Sequence, residues 1–553
     1  MRKFVATKRN KIMQNDKVNF MRKLFIIATF IFIAQITKAQ NMHSIEYHND
    51  SIERSKEYKE GNSFQKDFLL FIDMLETTHP AFSIDMSSPF NIDSLKSNGY
   101  KDLKFCKSSS ELAAYLQEIS ALLNDGHTGM ISSKNSLVYP VSFFNDGNNY
   151  YITAISKKEK AFLGKRIIAV NGTPINIIIK DFCSEVSAEN KVGKEREVRN
   201  QAFRAWKYWE NKSYVRKDSL MTLQVEDGSE ISLHLTKNFF NDIVTLPKKL
   251  NVIGQTIRSN DDVPFSCKTD SALNIAYLQF NKCEDQFFTR WMAQQQGITL
   301  TKEQEDYISG IPSFHEFLRN FFENIRKKNI SNLVIDMRDN FGGNSILCSE
   351  LLSWLSDVNK GWLIPTPYIR PSRLYCEFYK NQYKEIYDKI TANYASVNYN
   401  QLYNAITGKT IKEDCEGERE TLNSFPEDFR ILFNTDTDKI FKGNIYFIQN
   451  DNTFSSAADM ILMAYDNNIG KVVGGHSSYL TSHFGDILIY SLPNTHFVGY
   501  VSHKYFLRPN RNRVNEKEII PDPLIERSWN DVLNDNDPCW IWIKNKLDIN
   551  GTN

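Results

Sequence analysis

Asn444-Ile-Tyr-Phe-Ile-Gln-Asn-Asp-Asn-Thr-Phe-Ser-Ser-Ala-Ala-Asp-Met460 is the stretch from which the rest of the chain is read. Ile445 to Ile448 form an apolar run between polar residues, the pattern of a buried strand. Asn450 to Asn452 supply a polar turn, and small residues then open a helix through Ala457, Met460, Ile461 and Ala464. A serine at a strand–turn–helix junction is held by the scaffold while its hydroxyl can face a cleft. The same junction offers backbone N–H groups at a helix N-terminus, which can stabilise an oxyanion. The plain alternative is that Ser455 or Ser456 caps the helix.

Asn332-Leu-Val-Ile-Asp-Met-Arg-Asp-Asn-Phe-Gly-Gly-Asn344 is a second such stretch. A helix precedes it, with Ser313 and Glu316 in capping-box spacing and Phe317, Leu318, Phe321 and Ile325 on an apolar face. Helix, short strand and Gly-Gly turn indicate α/β organisation. Adjacent glycines let the backbone take positive φ and bring its N–H groups close to a ligand.

Asp-x-Arg-x-Asn-x-Gly-Gly after one strand and Ser-Ala-Ala-Asp after a later one resemble the C-terminal-processing (tail-specific) serine peptidases. The likeness is to the branch that includes the tricorn core protease and the retinoid-binding repeats. It covers roughly residues 110–130 and 270–530. It implies a ClpP/crotonase-like α/β core in which the Gly-Gly segment lines the oxyanion hole. It places the nucleophile on Ser456, three residues before Asp459, with Ser455 as its neighbour. The oxyanion donors expected on this basis are Gly342, Gly343 and Ala457.

One branch of the family uses a Ser–Lys dyad, but this chain has no lysine between Lys471 and Lys504. The base is therefore expected to be histidine, which titrates near neutrality and can both take and return the serine proton. Leu122-Leu-Asn-Asp-Gly-His-Thr128 follows a helix opening at Ser108…Glu111, with Leu112, Leu116, Ile119 and Leu123 on one face. Gly126 suits a helix C′ position. Asp-Gly-His-Thr resembles the family's histidine motif and puts the base on His127, with His483 and His503 in reserve. The closing segment Asn515-Glu-Lys-Glu-Ile-Ile-Pro-Asp522 resembles the family's, which makes Glu516 the orienting carboxylate and Glu518 the alternative.

A chain of 553 residues exceeds one core and calls for two or three domains. Its 67 basic and 66 acidic residues leave a net charge of +1, which gives no electrostatic pull toward nucleic acid. Met21-Arg-Lys23, an apolar run from Leu24 to Ala34 and Thr37-Lys-Ala39 read as an export signal cleaved before Gln40. That run is too short to span a bilayer, so no stable membrane span is expected after cleavage. The mature protein is expected to be periplasmic or extracellular. The eight cysteines form no Cys-x-x-Cys, so neither a metal nor another cofactor is implied.

Residues 136–245 read as a β-rich domain with turns at Asp146-Gly147, Asn171-Gly172 and Asp227-Gly228. Gly164-Lys-Arg-Ile-Ile-Ala-Val-Asn-Gly172 resembles a PDZ segment, though no carboxylate-binding Gly-Leu-Gly-Phe loop is evident. The expected organisation is 1–39 extension and signal, 60–135 N-terminal helical segment, 136–245 PDZ-like domain and 270–530 catalytic domain with an insertion at 361–430. The expected function is an exported serine endopeptidase acting on proteins or peptides through Ser456, His127 and Glu516. Two alternatives remain: a non-catalytic lipid- or peptide-binding protein on the same scaffold, and hydrolysis of a non-peptide ester or amide.

Overall fold

Five strands form the sheet that carries the serine. Phe265–Asp270, Ile275–Phe280, Asn332–Asp336, Asn444–Gln449 and Lys471–Gly474 pair in that order, the first pair antiparallel and the rest parallel. The computed structural model describes residues 44–131, 137–210, 212–246, 258, 263–295 and 299–551. The expected export signal lies outside the described residues.

The parallel strands are near-continuous apolar runs because both faces of the sheet are covered. Leu333, Ile335, Ile445 and Phe447 face the helices Phe314–Lys327, Ser345–Ser353 and Ser456–Asp466. Val334, Tyr446 and Ile448 face Trp540 and Ile543 of the helix Pro538–Gly551. Ser313 caps Phe314–Lys327 by accepting from Glu316 N at 3.3 Å, as its spacing predicts. This part of the chain is α/β, as expected.

A long hairpin, His483–Ser491 with Val498–Leu507, centres a second sheet. The helices Ser63–Thr78 and Ser109–Leu122 bury Phe68, Phe71, Leu112 and Leu116 with Leu488, Tyr490 and Val501 of this sheet. Gly129–Met130 pairs with Tyr500 and Gly499, which anchors the His127 turn to the hairpin. The 361–430 stretch is divided between two cores. Thr366–Ile369 adds a strand beside Val498–Leu507, whereas Trp362, Phe425 and Phe429 join the main sheet's core.

The β-rich region is an antiparallel sheet built on Val141–Asp146, Asn149–Ser156, Arg166–Val170, Met221–Val225 and Glu230–Leu233. Its turns fall where the Gly dipeptides place them, with positive φ at Gly147, Asn171, Gly172 and Gly228. Ile175 does not continue a strand but opens the helix Ile175–Glu185. Its buried residues Ile175, Ile178, Ile179 and Phe182 have helical spacing, and that packing overrides the β propensity of isoleucine.

Beyond this helix the chain turns back to the main sheet. Asn190 Nδ2 donates to Ser477 O at 3.0 Å, Arg196 Nη1 to Ser478 Oγ at 2.7 Å, and Arg199 Nη1 to Asp451 Oδ2 at 2.6 Å. Among the described residues no helix is long and apolar enough to cross a membrane.

Candidate active site

Ser455 is the residue that leaves regular geometry. It stands just before the helix Ser456–Asp466 with φ 53° and ψ −133°, and its side chain makes no capping bond. A left-handed φ is rare outside glycine and costs of order 1–3 kcal/mol, so the surrounding structure must impose it. Phe454 N donates to Asn340 O at 3.0 Å and Thr453 Oγ1 to Met337 O at 3.0 Å, which lash the turn to the Gly-Gly segment. The strained residue projects its hydroxyl to 3.2 Å from His127 Nε2.

Ser456, the expected nucleophile, lies elsewhere. It is the first helical residue, and its Oγ donates to Gly343 O at 2.8 Å. The sharp turn at Ser455 is what separates the two adjacent hydroxyls. It sends one to the histidine and the other into the loop beneath.

His127 lies in the turn after Ser109–Leu122, close to where the sequence puts it. The left-handed residue ending that helix is Asn124 (φ 49°), not Gly126. Glycine at 126 serves close approach instead, because a Cβ there would sit 2.8 Å from the Phe454 ring. That ring stacks on His127 with centroids 4.8 Å apart. Burial pushes the imidazole's pKa below its ordinary value, against the pull of Asp125. The ring is therefore neutral near neutral pH, as a base must be.

Two carboxylates flank the other ring nitrogen. His127 Nδ1 is 3.9 Å from Asp125 Oδ1 and 3.9 Å from Glu189 Oε1. Asp125 is fully buried. Burial alone would raise its pKa, but His79 Nε2 at 3.1 Å and Thr128 Oγ1 at 2.6 Å hold it well below the carboxylate range. His79 Nδ1 accepts from Ala81 N, which fixes the tautomer that donates to Asp125. Asp125 Oδ1 also accepts from His127 N at 2.8 Å, so it shapes the turn as well.

Glu189 comes from the β-rich region. Its Oε2 accepts from Leu480 N at 2.7 Å, while Oε1 has no hydrogen-bond partner among the described residues. Burial raises its pKa well above the usual range.

Glu516 is not part of this group. Its side chain is 49 % exposed, and its carboxylate accepts from Arg513 Nη2 at 2.7 Å and Arg508 Nη1 at 3.4 Å. Glu518 accepts from Asn190 Nδ2 at 3.1 Å. His483 directs Nδ1 to Leu480 O at 3.2 Å and Nε2 toward Asp459 at 3.5 Å, and His503 bonds Asp486 O at 2.6 Å. Ser455, Asp125 and Glu189, which the structure brings to His127, were not among the expected site residues. Asp125 was within view, two residues before the histidine, whereas no motif marks Glu189.

The Gly-Gly segment is built to close tolerance. Asn340 Oδ1 accepts from Gly342 N at 2.9 Å, and Cys283 pairs with the strand on both sides of Gly343. Gly342 and Gly343 have φ 91° and 133°, and a Cβ on Gly343 would meet Cys283 O at 2.4 Å. The expected donors Gly342 and Ala457 are occupied, the latter by Phe454 O at 3.2 Å. Among the described residues, Gly343 N and Ser456 N, like Phe341 N, Ser455 N and Ala458 N, have no acceptor. Gly343 N and Ser456 N stand beside the Ser455 turn, where an oxyanion would form.

Residues 307–525 match peptidase family S41. No curated protein matches the chain in sequence. The solved structure of mature CPAF complexed with lactacystin superposes with a TM-score of 0.57 at 14 % identity, covering 89 % of this chain and 98 % of that one. Mature CPAF gives the same score and identity over 89 % and 97 %. The photosystem II D1 C-terminal processing protease gives 0.37 at 11 % identity, over 84 % and 93 %.

Proposed function

We propose that Ser455 is the nucleophile and His127 the general base of this chain, a serine-type peptidase whose residues 307–525 match peptidase family S41. The observation that carries this is the 3.2 Å contact between His127 Nε2 and the Oγ of a serine with left-handed backbone. The two residues are 328 apart in sequence.

His127 Nε2 takes the Ser455 proton as Oγ attacks the peptide carbonyl, and later delivers it to the leaving amine. Nδ1–H then points between Asp125 and Glu189; the charge of Asp125 stabilises the imidazolium, and the Glu189 carboxyl oxygen is positioned to accept from Nδ1–H. Charge developing on the carbonyl oxygen meets the N–H groups of Gly343 and Ser456, donors of the kind worth about 10²–10³ in rate. Water releases the acyl group by the same route. Glu189 thus takes the orienting role expected of Glu516, shared with Asp125, and the mechanism remains Ser/His/carboxylate.

The substrates are proteins or peptides. The parallel strands with a serine at a helix start favour a ClpP/crotonase-like core, and the antiparallel sheet with its helix favours a PDZ-like reading of residues 136–245. Export follows from Met21 to Ala39, and a mature N-terminus at Gln40 found by mass spectrometry would bear it out.

The test is fluorophosphonate labelling of the purified chain with the adduct mapped by peptide sequencing. The adduct is expected on Ser455 and absent from Ser455→Ala. A wild-type protein that neither labels nor cleaves a broad peptide library, yet holds an apolar ligand, would establish the binding-protein alternative.

A further inference from the structure

We propose that His127 Nδ1, Glu189 Oε1 and Asp125 together form an inhibitory site for a borderline divalent cation such as Zn2+, which switches the peptidase off from behind its base. The proposal rests on the reading of His127 as the base. The three residues offer ligand atoms that all lie within 4.8 Å of one another. With Nδ1 at 3.9 Å from each carboxylate and all three atoms within 4.8 Å, the point equidistant from them in their plane is at most about 2.5 Å from each, against about 2.0–2.2 Å for zinc–nitrogen and zinc–oxygen bonds. Movement of a few tenths of an ångström closes the difference.

Two of these atoms are buried without a hydrogen-bond partner among the described residues, His127 Nδ1 and Glu189 Oε1. The Glu189 side chain is 1 % exposed, so its oxygen cannot turn to bulk water for compensation. The surrounding shell is already organised. Leu480 N fixes the far oxygen of Glu189, and His79 and Thr128 fix Asp125, as outer partners do around metal ligands. One imidazole and two carboxylates, with water in the fourth position, suit tetrahedral zinc. Mg2+ and Ca2+ call for more oxygen ligands.

The chemical consequence follows from the two ring nitrogens. A cation on Nδ1 takes that lone pair and leaves the ring proton on Nε2. Nε2 then faces Ser455 Oγ as a donor and cannot accept the serine proton. The cation sits behind the ring, away from the oxyanion donors, so substrate binding should persist while turnover stops.

The test uses the full chain carrying Ser455→Ala, which keeps every proposed ligand, titrated calorimetrically with Zn2+. One equivalent is expected to bind, and adding Glu189→Gln should weaken that site about 10–100-fold or more. Adding Glu516→Gln instead should leave it unchanged, and thermal unfolding checks that each variant is folded. In the wild type, Zn2+ should lower kcat with KM unchanged, with a midpoint at the same concentration and full recovery on chelation. No stoichiometric binding to Ser455→Ala, or binding indifferent to Glu189→Gln, overturns the proposal. The calorimetry needs no turnover, so a protein that binds Zn2+ here but cleaves nothing would sink the peptidase reading and leave the site standing.

Discussion

Glycine and alanine, placed in turn at Ser455 and Ser456, should have opposite effects on stability at the two positions. Both substitutions at 455 remove the hydroxyl contact to His127, so comparing them isolates the backbone. At φ 53° and ψ −133° alanine keeps the strain, of order 1–3 kcal/mol, and glycine releases it. Glycine also loses about 0.5–1 kcal/mol more conformational entropy on folding. Ser455→Gly should therefore be more stable than Ser455→Ala by roughly 1 kcal/mol, and by as much as about 2.

At 456, inside the first turn of the helix, no strain is released and glycine should be worse than alanine by about 0.5–1 kcal/mol. Calorimetry on the catalytic-domain transition is the assay, since 1 kcal/mol moves Tm by about 2–4 °C for a domain of this size. Both variants at 455 should be inactive. Those at 456 should keep turnover, reduced as far as loss of the Gly343 bond shifts the loop. If alanine is the more stable residue at both positions, Ser455 is not strained and the case for it as nucleophile fails.

Glu189→Gln should lower kcat about 10–1000-fold, as loss of an orienting carboxylate does, whereas Glu516→Gln should stay within about twofold of wild type; steady-state kinetics on one peptide substrate compares them. Gly343→Ala should lower both Tm and kcat sharply, because its Cβ would lie 2.4 Å from Cys283 O. Gly147→Ala, at φ 60° with nothing within 4 Å, should cost only about 1 kcal/mol of stability and leave kcat alone. His503 is buried with its pKa pushed down to about 4, so between pH 6.5 and 4 the unfolded chain binds a proton there that the folded chain does not. Stability from this residue is present above pH 6.5 and lost as pH falls. In urea titrations His503→Gln should therefore gain on wild type by about 1.4 kcal/mol per pH unit across that window.

What the sequence made legible was whatever depends on local pattern. The buried strands Asn332–Asp336 and Asn444–Gln449 and the caps at Ser108 and Ser313 are set by neighbours within a few residues. The Gly-Gly segment was legible for the same reason, since its glycines answer positive φ and the approach of Cys283. The choice between Ser455 and Ser456 was not, because it turns on a single backbone dihedral that the tertiary lashing of Thr453 and Phe454 imposes. Composition cannot distinguish two adjacent serines. Glu516 was read from a likeness in its segment. The structure gives that carboxylate to Arg513 and Arg508 and brings Glu189 to the histidine from 62 residues downstream of it.

These misses share a physical origin. Each group of the proposed site is held in a state its local sequence would not choose: Ser455 in left-handed backbone, His127 neutral by burial, Glu189 with one oxygen unpartnered. Each state is maintained by residues distant in the chain. The contacts from Asn190, Arg196 and Arg199 to Ser477, Ser478 and Asp451 hold the β-rich region on the catalytic sheet. Without that docking Glu189 could not reach His127, and its unpartnered oxygen would be free to hydrate. The desolvation of Glu189 is therefore a product of the domain arrangement and not of residues 186–197 themselves. It follows that the imidazole acquires its second carboxylate only in the assembled molecule, and that a search for catalytic motifs within one segment would find the base and overlook what orients it.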